Sequence, residues 1–84
     1  MIASIHGLLE AHGPDWVIVD IGGVSLRVTV PSSSISKLPA LGEPVRFVTH
    51  LYMREDLIAL YGFLTNDDLT LFEQLIAVTG VGPK

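Results

Sequence analysis

The chain contains no cysteine, which excludes both a disulfide framework and a thiolate metal site. It is also poor in positive charge: five Lys and Arg stand against nine Asp and Glu, for a net charge of −4 and a pI near 5.0. Such a composition lacks the basic face on which nonspecific nucleic-acid binders depend. No apolar run approaches the roughly 18 residues that a membrane-spanning helix needs. The first residues carry no basic stretch ahead of a long apolar core, so no secretory signal is read. Catalytic and metal motifs are equally scarce. His6, His12 and His50 are scattered, and no two have the i, i+4 spacing of a helical metal pair. Ser32, Ser33 and Ser34 lie outside any nucleophile-elbow pattern. Glu55 and Asp56 are adjacent, so their side chains diverge on a strand or turn, which is poor geometry for an acid/base pair. No internal repeat or low-complexity segment appears. The expectation is a soluble cytoplasmic protein with no cofactor, no metal, no membrane contact and no catalytic activity.

What the sequence does have is apolar patterning. Hydrophobic residues make up 49% and charged residues 17%, a balance that favours a packed core over disorder. The clearest pattern runs from Phe47 to Phe63. Before the polar break Arg54-Glu55-Asp56, the residues Phe47, Thr49, Leu51 and Met53 share one strand face. After it, Leu57, Ala59, Tyr61 and Phe63 share another. Period-two runs joined by a short charged turn predict a β-hairpin with an arginine and two carboxylates at its tip. Read alone, the tip is either a solvated turn or a site.

The rest of the chain follows the same logic. Met1 to His12 is an apolar strand in which Gly7 predicts a bulge or sharp bend. Gly13-Pro14-Asp15 is a turn signal. Trp16 to Ile21 and Val24 to Val30 are strands around Gly22-Gly23, a two-residue hairpin turn. In the second of these strands Val24, Leu26, Val28 and Val30 are expected to face inward. Ser32-Ser33-Ser34 is expected to cap a short helical turn through Leu38, followed by a loop from Pro39 to Pro44. Thr65 or Asn66 caps a helix whose first turn holds Asp67 and Asp68, favourable at the positive end of the dipole. Leu69, Phe72, Leu75, Ile76 and Thr79 recur at helical spacing, and Gly80 suits a helix C-terminus. About five strands in hairpins with a bend in the first suggest a small, mainly β, OB-fold-like barrel with a C-terminal α-helix.

Two further features bear on function. Gly80-Val81-Gly82 after an amphipathic helix lets backbone amides approach a phosphate, and Lys84 adds a charge; a plain C-cap and turn explains the same residues. A helix running into Gly-x-Gly with nothing beyond reads as a chain cut from a longer one. Trp16, Tyr52, Tyr61 and Phe63 are either stacking platforms for single-stranded bases or core and interface residues.

Taken together, several segments resemble one family, the RuvA subunits of the bacterial Holliday junction branch migration complex. They are Met1-Ile2, Val19-Asp20-Ile21-Gly22-Gly23-Val24, Leu38-Pro39-Ala40-Leu41-Gly42 and Thr49-His50-Leu51. To these are added Arg54-Glu55-Asp56, Leu60-Tyr61-Gly62-Phe63 and Gly80-Val81-Gly82-Pro83-Lys84. The resemblance covers the full chain, and its most specific part is the Arg-Glu-Asp to Tyr-Gly-Phe segment at its distance from Gly-Val-Gly-Pro-Lys. It implies an OB-like barrel over 1–64, and over 65–84 the first helix and hairpin of an incomplete helix-hairpin-helix DNA-binding domain. It implies a non-catalytic, DNA-binding subunit that recognises four-way junctions and holds them open and square. In recombination, DNA repair and the SOS response, that subunit works with the RuvB motor, which would be met through a C-terminal domain outside these residues. A homotetramer is implied for the full-length protein, with the RuvC resolvase as a further partner. By the same resemblance Glu55 and Asp56 form an acidic pin at the junction centre, and Arg54, Gly80, Val81, Gly82 and Lys84 contact DNA phosphates. The competing reading is an OB-fold module that binds single-stranded nucleic acid or a protein.

Overall fold

Alternating apolar and polar residues build five strands: β1 (Ser4–His12), β2 (Trp16–Asp20), β3 (Ser25–Thr29), β4 (Pro44–Arg54) and β5 (Leu57–Phe63). A one-turn helix, α1 (Ser32–Ile35), separates β3 from β4, and α2 (Asn66–Thr79) follows β5. The computed structural model describes residues 1–79. The strands close into a barrel in the order β1-β2-β3-β5-β4, the arrangement of an OB-type fold. All pairings are antiparallel except β3 with β5, which meet in parallel at Thr29 and Tyr61. Closure pairs each strand on both sides within the barrel, while the outer end of the β4–β5 ribbon pairs only with itself. Leu9, Val17, Val19, Val28 and Phe47 fill the interior with no exposed surface, and Ile5, Val30, Val45 and Leu60 complete that core.

The turn between β2 and β3 forms at Gly22 and Gly23, both at positive φ (108° and 96°). Ile21 N–H donates to the Val24 carbonyl at 2.9 Å, while Asp20 Oδ1 accepts from the amides of Gly22 and Gly23 at 2.9 and 3.2 Å. Val24 therefore belongs to the turn, and its side chain is 56% exposed instead of facing the core as expected. Leu26 is partly buried against the core, and Val28 and Val30 lie in it as the alternation predicts.

Two other expectations change. The register break in β1 falls between Leu9 and Ala11, not at Gly7, which stays in register opposite Val45. Gly7 is there for space: a Cβ would overlap the carbonyl oxygen of Asp20, where the start of β1 passes the end of β2. The serines do not cap α1. Pro31 occupies the N-cap position, no side chain caps, and Ser34 is buried. The fixed φ of Pro31 sets the entry of the turn instead; its carbonyl accepts from Ser34 N–H at 2.9 Å. Ile35, and Leu38 just after α1, then pack on the core.

Helix α2 starts as expected. Thr65 Oγ1 accepts from Asp68 N–H at 3.1 Å, with Asp67 and Asp68 in the first turn. Leu69 and Phe72 pack against Val48, Tyr61 and Phe63 on the outside of the β4–β5 ribbon. Leu75, expected on the same apolar face, is 55% exposed.

Candidate nucleic-acid interface at the hairpin tip

Strands β4 and β5 pair without a break from Val48–Phe63 to Arg54–Leu57. Residues directly opposite share a face, so the two apolar sets predicted for this hairpin lie on opposite sides of the ribbon. Phe47 and Leu60 look into the barrel. Val48, Tyr61 and Phe63 look out, under α2. The root of the ribbon is thus buried on both faces. At Gly62 the two layers come so close that a Cβ would sit 2.6 Å from Val28 Cγ1 and 3.2 Å from Phe47 Cβ.

The outer contact centres on Phe72. Its ring stands 5.0 Å from that of Phe63, 5.3 Å from Tyr61 and 5.6 Å from His50, centroid to centroid. Next to it, Glu73 Oε2 lies 3.0 Å from His50 Nδ1, tying α2 to β4 by a partly exposed pair. Burial pushes the Tyr61 phenol above its usual pKa, and neighbouring Tyr52 adds to the shift. Phe72 was read from sequence as part of the apolar face of the helix, but neither the rings it meets nor the His50–Glu73 pair was. Helical spacing gives the face on which Phe72 lies and not its partners across the sheet.

Beyond this root the ribbon emerges into solvent. Arg54 and Leu57 are the last paired residues, and Glu55 and Asp56 form the two-residue turn. All four are exposed. Neither Glu55 nor Asp56 takes a positive φ, so the turn is not of the mirror-image type usual in two-residue hairpins. Among the described residues no carboxylate pairs with Arg54. The fold therefore brings Arg54, Glu55 and Asp56 together at one projecting end. Gly80, Val81, Gly82 and Lys84, the other predicted contacts, lie outside the described residues.

The aromatic residues considered as stacking platforms are engaged within the fold. Tyr61 and Phe63 are buried under α2, with Tyr52 packed beside them. The Arg27 guanidinium carbon lies 4.6 Å from the Trp16 ring centroid, covering that ring. This arrangement does not favour the single-strand reading. Among the described residues no helix is long and apolar enough to cross a membrane.

Comparison with known proteins agrees with this architecture. A family described as the RuvA N terminal domain matches residues 1–62. Among curated relatives, a protein of Dehalococcoides mccartyi is 48% identical over 84 residues, covering all of this chain and 43% of that protein. One of Symbiobacterium thermophilum is 51% identical over 84 residues, again all of this chain and 41% of that protein. One of Solibacter usitatus is 51% identical over 83 residues, 99% of this chain and 42% of that protein. Each bears the name Holliday junction branch migration complex subunit RuvA. The chain thus spans less than half the length of these relatives.

Proposed function

The chain belongs to the RuvA N-terminal domain family, and from that premise we propose that it is the barrel part of a non-catalytic subunit that binds four-way DNA junctions. In this reading residues 1–64 form the barrel, and residues 65–84 open a helix-hairpin-helix domain whose remainder lies in the longer protein. The full-length subunit assembles as a cytoplasmic homotetramer, holds the junction open and square, and serves the RuvB motor, with the RuvC resolvase as a further partner. Phosphate contacts come from Arg54, Gly80, Val81, Gly82 and Lys84.

The observation that carries the reading is the pair of exposed carboxylates, Glu55 and Asp56, at the free end of a ribbon buried on both faces at its root. Near a crossover, phosphates crowd together. Carboxylates held rigidly at that point oppose stacking of the arms and penalise a plain duplex lying across the tip. Arg54 beside them offsets part of that repulsion by bonding to a phosphate. An acidic barrel is compatible with DNA binding if most of the cationic contacts lie elsewhere in the longer protein.

The test is Glu55→Gln with Asp56→Gln in the full-length protein. Exposed turn charges contribute little to folding, so stability is expected to stay within about 0.5 kcal/mol. Affinity for plain duplex is expected to rise about tenfold at low salt, and affinity for the junction by less, so selectivity falls. Binding is measured on duplex and four-way DNA across a salt series. Unchanged selectivity at every salt concentration would falsify the pin assignment.

A further inference from the structure

The carboxylates do not stand alone at the tip. Met53 and Ile58 are direct cross-strand partners just behind the pair that closes the turn, and they are 64% and 69% exposed. The closing pair, Arg54 with Leu57, belongs to the opposite face, and Leu57 is 43% exposed. Single exposed apolar residues are ordinary. Here apolar side chains are exposed on both faces of one ribbon, within two residue pairs of its end. Helix α2 packs at the root, on Val48, Tyr61 and Phe63, and leaves the tip uncovered.

We propose that each tip packs against the next in the assembled tetramer, the Met53–Ile58 face of one copy on the Leu57 face of its neighbour. This rests on the reading of a homotetramer whose carboxylates meet at the junction crossover, and it names the contact that holds them there. Four equivalent copies around one point form a closed ring. In a ring each copy meets its two neighbours through two different surfaces, whereas in a two-fold dimer one surface meets itself. A tip with a neighbour on either side therefore needs an apolar patch on each of its faces, and this ribbon has one on each. Distance brings the patches together once the turns converge. A strand rises about 3.4 Å per residue, so Met53 and Ile58 lie only about 7 Å behind Glu55 and Asp56. Ribbons stacked face to face sit about 10 Å apart, a gap that aliphatic side chains of this size fill. Charge works against the contact. The carboxylates of four copies repel one another, and the apolar packing behind them opposes that repulsion. Arg54 lies on the Leu57 face, so its guanidinium is carried toward the neighbouring tip and offsets part of the repulsion there.

The experiment uses the full-length protein without DNA, and follows its oligomeric state by sedimentation across a dilution series. Met53→Ser with Ile58→Ser is expected to raise the concentration at which the tetramer falls apart about tenfold, the scale for truncation at the centre of a contact. Leu57→Ser on the other face is expected to act in the same direction. All three substitutions together are expected to cost no more than the first two, since both faces belong to one contact. Met53→Leu with Ile58→Val keeps the aliphatic face and restores assembly. Glu55→Gln with Asp56→Gln is expected to hold the tetramer together at lower concentration in low salt, because the repulsion is removed. Unchanged assembly in both serine proteins overturns the proposal, and fully additive losses overturn it in favour of two unrelated contacts. Unchanged assembly with weakened junction binding overturns it in favour of DNA as the occupant. A glutamine protein no tighter than the wild type shows that the tips do not lie side by side, which also overturns it. A wild type that is never tetrameric removes the underlying assembly as well, and is distinguishable because no variant then has a tetramer to lose.

Discussion

Gly7 and Tyr61 illustrate what single positions contribute here. At Gly7 a methyl group would overlap the Asp20 carbonyl, and the obstacle is backbone, which cannot swing aside as a side-chain end does. Gly7→Ala is therefore expected to destabilise by about 1–3 kcal/mol, the usual range for overpacking. A thermal melt is expected to show a drop of about 4–8 °C for each kcal/mol in a domain of this size. An unchanged melting temperature would mean that β1 and β2 can separate there freely. Tyr61 governs behaviour in alkali. Its phenol is held above the ordinary value of 10.0 by burial first and by Tyr52 second. The unfolded chain thus releases the proton at lower pH than the folded one. The stability involved is fully present below pH 10 and is lost as pH rises through the folded value. Denaturant midpoints are expected to fall above pH 10, and Tyr61→Phe is expected to remove part of that slope. Equal slopes in the two proteins would mean that Tyr61 is not the responsible group.

Among the elements, α2 and the β4–β5 ribbon depend on each other. Phe72 touches three rings on the ribbon, so Phe72→Ala is expected to cost about 2–4 kcal/mol, less than a fully buried Phe→Ala at the upper end. Hydrogen exchange is expected to rise along α2 far more than in β1–β3. Uniform acceleration through the whole chain would mean that helix and barrel unfold as one unit. The hairpin itself was legible in the sequence, because two period-two runs flank a compact charged break at Arg54-Glu55-Asp56. That the ribbon is buried on both sides was not. Alternation tells which residues share a face, and says nothing of what covers that face. Val24 misled for a related reason: it continues the alternation of β3, yet the Gly22–Gly23 turn takes it for its closing hydrogen bond. The serines before Ile35 look like caps until Pro31 is seen to set the helix entry without them. Of the candidate site, the Arg54 to Asp56 cluster could be placed from the sequence. Met53 and Ile58 are exposed although they continue the strand pattern, because alternation does not tell how far a hairpin reaches beyond the barrel.

At the scale of the whole molecule, charge limits what this chain can do alone. With five cationic side chains against nine acids, residues 1–84 are expected to bind a four-way junction only in the nonspecific range, with a Kd of about 10⁻⁵ M or weaker at moderate salt. Fluorescence anisotropy measures this. Tight and junction-selective binding by these residues would move the source of affinity into the barrel. The position of the carboxylates has a consequence of another kind. Mechanically, the β4–β5 ribbon is a cantilever. Its root is gripped between the barrel interior and α2, and the last two residue pairs before the turn, Met53–Ile58 and Arg54–Leu57, stand clear over about 7 Å. A push delivered at Glu55 or Asp56 by a moving DNA strand therefore arrives at the root as a bending moment. The stiffness that resists it resides in Phe47 and Leu60 on one side and Phe72 on the other, far from any residue the strand touches.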